Sequence, residues 1–244
     1  MIPFTAYKPI AVGHRGWPAM YPANTLAGFK AAWQAGCAMV ECDVRMSRDG
    51  VPVLAHDEYV VDIHGSSLSV AGTTAAELGA LDLGAGQGVP TLQQLVDWAA
   101  CGCAVMADFK VEGGGAEEKT AAILAALPSD KKLVPGASEL SRELLRKADP
   151  NLPVSLSLGR ERINDLAGDR FDELIAKLDT QAVTWQYHLL SANRVNALHV
   201  RGLTVYAWTV DDDVAIQHVA EMGVDGIISN RVDRLVLHLG LLPR

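Results

Sequence analysis

The sequence predicts an α/β protein built as a (β/α)₈ barrel, the TIM-barrel architecture. Short apolar runs alternate with amphipathic segments rich in Ala and Leu along almost the whole chain of 244 residues. Eight such strand–helix units can be counted. Repeated units of this kind form parallel sheets with right-handed crossovers, and eight of them suffice to close a barrel. An open, doubly wound parallel sheet is the competing architecture.

The first unit pairs the apolar run "PIAVGH" with the helical segment "NTLAGFKAAWQAG". Apolar residues from Leu26 to Trp33 recur at helical spacing, which predicts an amphipathic helix. Asn24 or Thr25 suits the N-cap position, because both side chains can accept a hydrogen bond from the first turn. Gly36 ends the predicted helix.

The second unit contains an interruption. Its strand is "CAMVECDV", and the turn signal Asp49-Gly50 joins it to a further extended piece, "VPVLAH". Residues 57–89 follow; they are rich in Gly, Ser and Thr and predict an irregular insertion or long loop rather than another strand–helix unit. The helix "TLQQLVDWAA" then resumes the pattern, with Thr91 as its predicted cap.

The later strand–helix units follow one another without an interdomain linker, and their sequences show no tandem similarity. We therefore expect one domain over residues 1–244 with a small insertion at about 57–89. The predicted strands are "AVMADFK", "KLVPG", "PVSLSL", "AVTWQY", "TVYAWTV" and "GIISN". The predicted helices between and after them are "AEEKTAAILAAL", "SRELLRKA", "FDELIAKL", "SANRVNALHVRG", "DDVAIQHVAEMG" and "RVDRLVLHLG".

Composition restricts the partners and the compartment. The formal net charge of -8 argues against general nucleic-acid binding, although a small phosphate ligand needs only one or two local cations. The four cysteines lack the spacing of a disulfide framework or a metal knuckle, so we interpret them as reduced. The first twelve residues lack signal-peptide features and no apolar run has transmembrane length. We therefore expect a cytoplasmic protein without stable membrane insertion, of unknown oligomeric state.

Charged and imidazole side chains cluster at the predicted carboxyl ends of strands, where barrels of this type hold their chemistry. Glu41 and Asp43 lie two residues apart on one strand and so face the same side, and a buried carboxylate pair needs a cation. Singly, each such residue has an ordinary structural explanation, but together they require mutual compensation. The set at four strand ends is His14, Arg15, Glu41, Asp43, His56, Asp57, Asp108 and Lys110.

Three carboxylates in this set predict a divalent cation. Glu41, Asp43 and Asp108 offer hard oxygen ligands, which suit Mg²⁺, Ca²⁺ or Mn²⁺. Arg15 and Lys110 supply the charge-assisted donors that a phosphate group needs.

Two histidines complete the predicted chemistry. His14 and His56 can act as general acid and base, so the whole set indicates cleavage of a phosphoester. Trp208 falls at the carboxyl end of a strand and is the preferred pocket residue, although barrel packing explains it equally well. Trp17, Tyr59 and Trp185 are further candidates for lining the mouth.

Five motifs extend this pattern over nearly the whole chain. They are "GHRGWPAMYPANTLAGFKAAWQAG", "VECDVRMSRDGVPVLAHD", "GVPTLQQLVDW", "GLTVYAWTVDD" and "GVDGIISN". With the order His-Arg, Glu-x-Asp, His-Asp, the sequence resembles the glycerophosphodiester phosphodiesterase family. The resemblance implies a (β/α)₈ barrel with an insertion after the second strand. It also implies hydrolysis of a small-molecule glycerophosphodiester to glycerol 3-phosphate and an alcohol, helped by one divalent cation.

Residue matching assigns roles within that resemblance. His14 and His56 resemble the family's acid/base pair, and Glu41 with Asp43 resembles two metal ligands. The remaining matches are the phosphate-contacting cations, Arg15 and Lys110.

Three departures from the family pattern concern the site. Asp108, in "DFK", stands where the family usually has Glu, and it is one methylene shorter. Ala23 replaces the Glu of a usual Pro-Glu-Asn-Thr element. The segment "PGASELS" lacks the aromatic residue expected after the next strand, which concerns the wall of the pocket rather than the chemistry.

Three alternatives remain open at this level. A phospholipase D-like or lyase activity on lysophospholipids would use a similar site. An aldolase could use Lys110 as a Schiff-base amine, which leaves the histidines and the Glu-x-Asp pair unexplained. A catalytically silent phosphate-binding barrel is supported by the Asp108 substitution.

Overall fold

The computed structural model describes residues 8–136, 138–160, 164, 166, 169–177 and 180–244. Residues 1–7 lie outside this set; they are part of the segment from which the sequence predicts no signal peptide. Ala137 of "PGASELS" and Leu178, at the end of the predicted helix "FDELIAKL", also lie outside it. Among the described helices, none combines the length and the apolar character that crossing a bilayer requires.

A nearly closed wall of eight parallel strands forms the centre of the fold, which confirms the predicted barrel. Within the described residues the strands are β1 (Ile10–Gly13), β2 (Met39–Met46), β3 (Pro52–Leu54), β4 (Tyr59–Val61), β5 (Ser67–Ser69), β6 (Ala104–Phe109), β7 (Lys132–Leu133), β8 (Ser155–Leu158), β9 (Ala182–Gln186), β10 (Thr204–Trp208) and β11 (Gly226–Ser229). The wall runs β7-β6-β2-β1-β11-β10-β9-β8. It meets itself between β7 and β8 through a bridge from Val134 to Val154.

Helices follow the strands and cover the outside of the wall. They are α1 (Leu26–Ala35), α2 (Ala75–Gly79), α3 (Leu92–Ala99), α4 (Ala116–Leu124), α5 (Glu139–Ala148), α6 (Asp169–Lys177), α7 (Ala192–Val200), α8 (Asp213–Glu221) and α9 (Val232–His238). Thr25, not Asn24, caps α1 by accepting from the Gly28 backbone N–H. Thr91 caps α3 in a capping box with Gln94, as the sequence predicts.

The stretch 57–89 is more regular than its composition predicts. β4 and β5 form an antiparallel hairpin, and α2 begins with a capping box between Thr74 and Glu77. Preceding this stretch, β3 runs antiparallel to β2. A small separate cluster of buried side chains, Val53, Ala55, Val70, Leu78 and Val89, supports these elements. The chain therefore returns to the barrel mouth at His56 before it enters the hairpin.

Alternate residues of each wall strand face the lumen or the helices. On β9, Thr184 faces the lumen and its hydroxyl lies 2.9 Å from that of Ser155 on β8. The next residue, Trp185, consequently faces outward, is fully buried and packs edge-on against Phe171 of α6. The prediction that Trp185 lines the mouth is therefore wrong, because one step along a strand reverses the direction of the side chain.

Candidate functional site

A cavity of about 420 Å³ opens at the carboxyl ends of the wall strands. It brings together seven of the eight residues predicted as catalytic, substrate-binding or metal-ligating: His14, Arg15, Glu41, His56, Asp108, Lys110 and Trp208. Asp43, the eighth, is 1% exposed and lies behind this lining against Arg15 and Lys110. Strands far apart in sequence thus deliver the predicted set to one place.

The three carboxylates form one cluster because of the register between β2 and β6. Glu41 and Asp43 share a face of β2, and Asp43 pairs directly with Asp108 of β6 in the parallel ladder. One oxygen from each of the three residues lies within 4.8 Å of the others. Glu41 and Asp43 are buried, and Asp108 is half-buried.

Two cations compensate part of this charge. The Lys110 ammonium lies 2.5 Å from Asp108 Oδ2 and 3.3 Å from Asp43 Oδ1. Arg15 Nε lies 3.0 Å from Asp43 Oδ2, an ionic contact that lacks hydrogen-bond geometry. Three carboxylates against two cations leave one negative charge uncompensated when all five groups are ionised.

The electrostatic cost is largest at Glu41. Burial raises the pKa of this carboxyl well above its usual range, and the charges of Asp43 and Asp108 raise it further, against a hydrogen bond from the Arg15 backbone N–H at 2.8 Å. Burial likewise raises the pKa of Asp108, with Lys110 opposing it. For Lys110 burial acts in the opposite direction, but the neighbouring carboxylates prevail and raise its pKa.

This cluster fits a hard divalent cation. Asp108 Oδ1 is buried and has no hydrogen-bond partner in the part of the chain that the structure describes, and Asp43 Oδ1 has only its ionic contact with Lys110 at 3.3 Å. Buried oxygens without full hydrogen bonding are costly unless a ligand engages them. Carboxylate oxygens without sulfur or imidazole nitrogen in the cluster are the donors that Mg²⁺ and Ca²⁺ prefer.

Gly136 explains how the shorter Asp108 side chain is accommodated. A Cβ atom on Gly136 would lie 1.8 Å from Asp108 Oδ1, so any larger residue would displace that carboxylate. Gly136 also has φ +75°, a left-handed conformation that favours glycine. The glycine of "PGASELS" therefore fills the place next to Asp108 with backbone alone.

The two histidines are held differently. His14 is mostly buried, and its Nδ1 lies 2.7 Å from Asn230 Oδ1. Burial and the charge of Arg15 lower the pKa of His14, although the Asn230 contact opposes this. His56 is 41% exposed, and its Nδ1 lies 2.8 Å from Asp57 Oδ1. That hydrogen bond lowers the pKa of Asp57.

Asn24 is a site residue that the sequence-based assignment missed. It is buried at φ +58°, a conformation that Asn tolerates better than most residues. Its amide donates to Asp43 Oδ2 at 2.9 Å and accepts from the Asp43 backbone N–H at 3.1 Å. The side chain therefore orients Asp43, and the position of Asn24 just before a helix indicated only a cap.

The opposite side of the cavity is uncharged. Ser157, Thr184 and Thr209 line it together with Trp208. The indole Nε1 of Trp208 donates to the Thr184 carbonyl at 2.8 Å, which fixes the ring. Of the other aromatic candidates, Trp17 packs against the core and Tyr59 is exposed on β4. The hydroxyls had no distinct signal in the sequence.

Fold and site together define a (β/α)₈ barrel with an acidic cluster that could hold a metal ion, beside an arginine and a lysine. The chain belongs to the glycerophosphoryl diester phosphodiesterase family, whose model matches residues 14–234. It is an enzyme of the phosphodiesterase class, as its family and its relatives indicate.

Individual relatives span nearly the whole chain. The protein named "Probable glycerophosphodiester phosphodiesterase 2" of Mycobacterium tuberculosis is 29% identical over 93% of this chain and 89% of its own. A solved structure from Silicibacter pomeroyi is 25% identical, with a TM-score of 0.85 over 98% of this chain and 96% of that one. An Oleispira antarctica phosphodiesterase, solved with its product sn-glycerol-3-phosphate, shares the fold at 23% identity, with a TM-score of 0.81 over 96% and 98%.

Proposed function

We propose that the chain hydrolyses glycerophosphodiesters to glycerol 3-phosphate and an alcohol, using one divalent cation and two histidines. The observation that supports this best is the convergence of three carboxylates, two cations and two imidazoles on one cavity. The Oleispira antarctica phosphodiesterase was solved with sn-glycerol-3-phosphate as its product, which is one of the two products proposed here. The cavity, at about 420 Å³, is within the usual range for a small-molecule site.

Glu41, Asp43 and Asp108 would hold the cation, which we propose to be Mg²⁺ or Ca²⁺, with Mn²⁺ also compatible with oxygen ligands. When bound, the ion would neutralise phosphate charge and make the phosphorus more electrophilic. It would also relieve the repulsion that raises the pKa of Glu41. Asn24 keeps Asp43 oriented through its two hydrogen bonds.

Arg15 and Lys110 bind the phosphate in this proposal. The ionic contact of Arg15 with Asp43 engages Nε, which leaves the terminal guanidinium N–H groups to donate to phosphate oxygens. The Lys110 ammonium has three donors and keeps its charge, because the neighbouring carboxylates raise its pKa. Charge that develops on the phosphoryl oxygens is therefore stabilised from two sides.

His14 and His56 transfer the protons in the proposed reaction. One accepts a proton from the nucleophile, and the other donates a proton to the leaving alkoxide oxygen, so that neither a strong base nor an unprotonated alkoxide has to form. The nucleophile is either water or a hydroxyl of the substrate next to the phosphate, which would give a cyclic phosphodiester first. Detection of the cyclic product in a single-turnover experiment distinguishes the two routes.

The alcohol lies toward the uncharged side of the cavity. Trp208 supplies a fixed aromatic surface, and Ser157, Thr184 and Thr209 supply hydroxyls for a polar head group. A lysophospholipid would require the same chemistry with a longer chain leaving the cavity, so phospholipase D-like or lyase activity stays an alternative substrate choice for the same residues. The aldolase alternative loses support, because a Schiff-base amine must be deprotonated and the pKa of Lys110 is raised.

The decisive experiment is a panel of metals against substrates. The purified chain, incubated with Mg²⁺, Ca²⁺ or Mn²⁺, should release glycerol 3-phosphate from glycerophosphocholine, and a chelator should stop the release. His14→Ala and His56→Ala should each lower kcat by about 10²- to 10⁴-fold, the usual contribution of general acid–base catalysis. Absence of turnover with every metal and with glycerophosphodiesters and lysophospholipids alike would instead favour a silent phosphate-binding barrel.

We propose that the protein acts on its small-molecule substrate in a reducing compartment. The cysteines Cys37, Cys42, Cys101 and Cys103 are all free thiols, which supports the cytoplasm as the proposed location. Cell fractionation with antibody detection of the chain tests that location directly.

A further inference from the structure

A hydrogen-bonded chain of side chains behind His14 is not used by the proposed reaction. Asp211, in the loop between β10 and α8, accepts from the Ser229 hydroxyl at 2.9 Å and from the Asn230 backbone N–H at 2.8 Å through Oδ1. Its Oδ2 accepts from the Asn230 amide Nδ2 at 2.8 Å. The Asn230 Oδ1 atom then lies 2.7 Å from His14 Nδ1.

The charge on Asp211 determines the orientation of the Asn230 amide. An ionised carboxylate only accepts hydrogen bonds, so the NH₂ group of Asn230 must face Asp211. The amide oxygen must then face His14. If the Asn230 amide were rotated by half a turn, its oxygen would face the Asp211 carboxylate, and neither group could donate a hydrogen bond to the other.

The orientation of Asn230 in turn determines where neutral His14 holds its proton. Because the Asn230 oxygen only accepts, His14 Nδ1 must be the donor. The other ring nitrogen, Nε2, is then bare; it lies 3.8 Å from Glu41 Oε2, and both residues line the cavity. The hydrogen-bond partner of one ring nitrogen commonly selects the tautomer of a histidine in this way.

The backbone under this chain of side chains belongs to a strand ladder. β1 and β11 are neighbours in the wall, with Gly13 paired to Ser229. The His14 backbone N–H continues that ladder by donating to the Ser229 carbonyl at 3.0 Å. His14 and Asn230 thus each follow a strand end directly, and their side chains meet across two adjacent strands.

We infer that Asp211 and Asn230 are positioning residues, which hold His14 in the tautomer that turns an unprotonated Nε2 toward the cavity. The inference deepens the proposed function, because it rests on a catalytic task for His14. Its test does not need turnover, since the tautomer can be observed in the resting protein.

Asp211→Asn changes the direction of hydrogen bonding with little change in shape. The new amide would keep its oxygen toward the Ser229 hydroxyl and the Asn230 backbone N–H, and would present NH₂ to Asn230. Asn230 must then rotate so that its own oxygen accepts. Its NH₂ group would face His14, and neutral His14 would carry its proton on Nε2 instead of Nδ1.

The experiment records ¹⁵N NMR spectra of the full-length chain, labelled with ¹⁵N-histidine in the presence of Mg²⁺, at about pH 8, where an imidazole is ordinarily neutral. The His14 signals are assigned as those missing from His14→Asn. In the wild type we expect the Nδ1-protonated tautomer, and in Asp211→Asn the Nε2-protonated one. If turnover is established, kcat of Asp211→Asn should fall about 10- to 100-fold, with KM within about 2-fold.

Ser229→Ala is the matched control. It removes the 2.9 Å hydrogen bond from Ser229 to Asp211 but leaves the Asn230 amide contact. We expect the wild-type tautomer in this variant. An Nε2-protonated His14 in the wild type, an unchanged tautomer in Asp211→Asn, or the same change in Ser229→Ala would each overturn the inference. Asn230→Ala provides a second variant, which should give a mixture of tautomers.

An inactive wild type with the expected tautomers would contradict the proposed hydrolysis while leaving the positioning role of Asp211 and Asn230 intact. An active enzyme in which the tautomer of His14 is unchanged by Asp211→Asn would contradict the positioning role and leave the proposed hydrolysis intact. The two claims therefore fail separately.

Discussion

The two sides of the barrel mouth are built from the same kind of strand end, yet their side chains differ sharply. The ends of β1, β2 and β6 contribute every carboxylate and cation of the cluster, whereas the ends of β8, β9 and β10 contribute hydroxyls and Trp208. On the uncharged side, the Trp208 indole donates to the Thr184 carbonyl, although Gln186 Oε1 at the end of β9 has no hydrogen-bond partner among the described residues. On the charged side, buried oxygens of Asp43 and Asp108 have no hydrogen-bond partner among the described residues.

The charged side is the one arranged for an ionic ligand in the proposed function. A buried carboxylate oxygen without a partner lowers stability, and three carboxylates clustered around such oxygens favour a ligand of opposite charge. We therefore propose that the charged side holds the cation and the phosphate, while the uncharged side contacts the alcohol. Substitutions on the two sides should differ accordingly, in kind as well as in size.

The largest effect should follow from removing one charge of the carboxylate cluster. Glu41→Gln keeps the shape and the acceptor for the Arg15 backbone N–H, but it removes an anionic ligand. We expect kcat/KM for glycerophosphocholine to fall by about 10³-fold, corresponding to several kcal/mol of transition-state stabilisation. Steady-state kinetics over a range of Mg²⁺ concentrations measure it.

Thr184→Val, on the uncharged side of the same cavity, is the matched comparison for Glu41→Gln. It should change kcat/KM by no more than about 10-fold, which is the effect of one neutral hydrogen bond. Equal losses in the two variants would remove the distinction between the two sides.

A smaller effect should follow from enlarging Gly136. The Cβ atom of Gly136→Ala would meet Asp108 Oδ1 and displace one carboxylate of the cluster. We expect the concentration of Mg²⁺ needed for half-maximal activity to rise about 10- to 100-fold. Titration of activity with metal provides the measurement.

Gly202→Ala controls for backbone strain in that experiment. Gly202 has φ +74°, almost the value of Gly136, but no atom of the described residues lies within 4 Å of the place that its methyl group would take. The control should lose some stability without a change in metal requirement. A parallel shift in both variants would mean that strain, and not contact with Asp108, is responsible.

The uncharged side should respond mainly in substrate affinity. Trp208→Phe removes the hydrogen bond to the Thr184 carbonyl and part of the ring. We expect KM to rise about 3- to 10-fold with kcat little changed, because the phosphate and proton-transfer groups stay in place. Trp98→Phe, on α3 outside the wall, should leave both constants unaltered, and a fall in kcat of Trp208→Phe without a change in KM would contradict the expectation.

The smallest effect concerns stability without metal. The pKa of Glu41 is raised in the folded protein, so ionisation of this group opposes folding between the ordinary carboxyl pKa and the raised one. Glu41→Gln should therefore raise the Tm in chelator at neutral pH, by about 2–4 °C for each kcal/mol relieved. The difference from wild type should shrink as the pH falls, because Glu41 is then protonated in both states.

Glu118→Gln, at an exposed position on α4, gives the reference for that stability measurement. Its Tm should stay within about 1 °C of wild type, as for most surface substitutions. A Tm of Glu41→Gln at or below that reference would show that the cluster is not a source of instability.

The charged side could be predicted from sequence because its signals are local. Glu41 and Asp43 are two residues apart on an apolar strand, and the barrel rule brings strand ends together without further information. The contact of His14 with Asn230 spans 216 positions, and neither residue is unusual where it stands. Only the adjacency of β1 and β11 in the closed wall joins them.

Other errors have equally definite causes. Thr74 and Glu77 carry the spacing of a capping box, so part of the interrupted stretch 57–89 could have been recognised as helical. Asn24 occupies a left-handed position, which sequence alone does not distinguish from a cap. Trp185 failed as a pocket residue because strand register, and not residue type, decides the direction of a side chain.

The bridge between Val134 and Val154 has a consequence for motion within the wall. Two backbone hydrogen bonds, each 3.0 Å long, fasten this edge around Val134, whereas β2 and β6 share six paired positions. Local opening tends to start where few hydrogen bonds hold, and Gly136 lies two residues beyond this weak fastening. A transient gap there would move Gly136 away from the carboxylate of Asp108, whereas Asp108 itself would stay on the firmly paired strand β6.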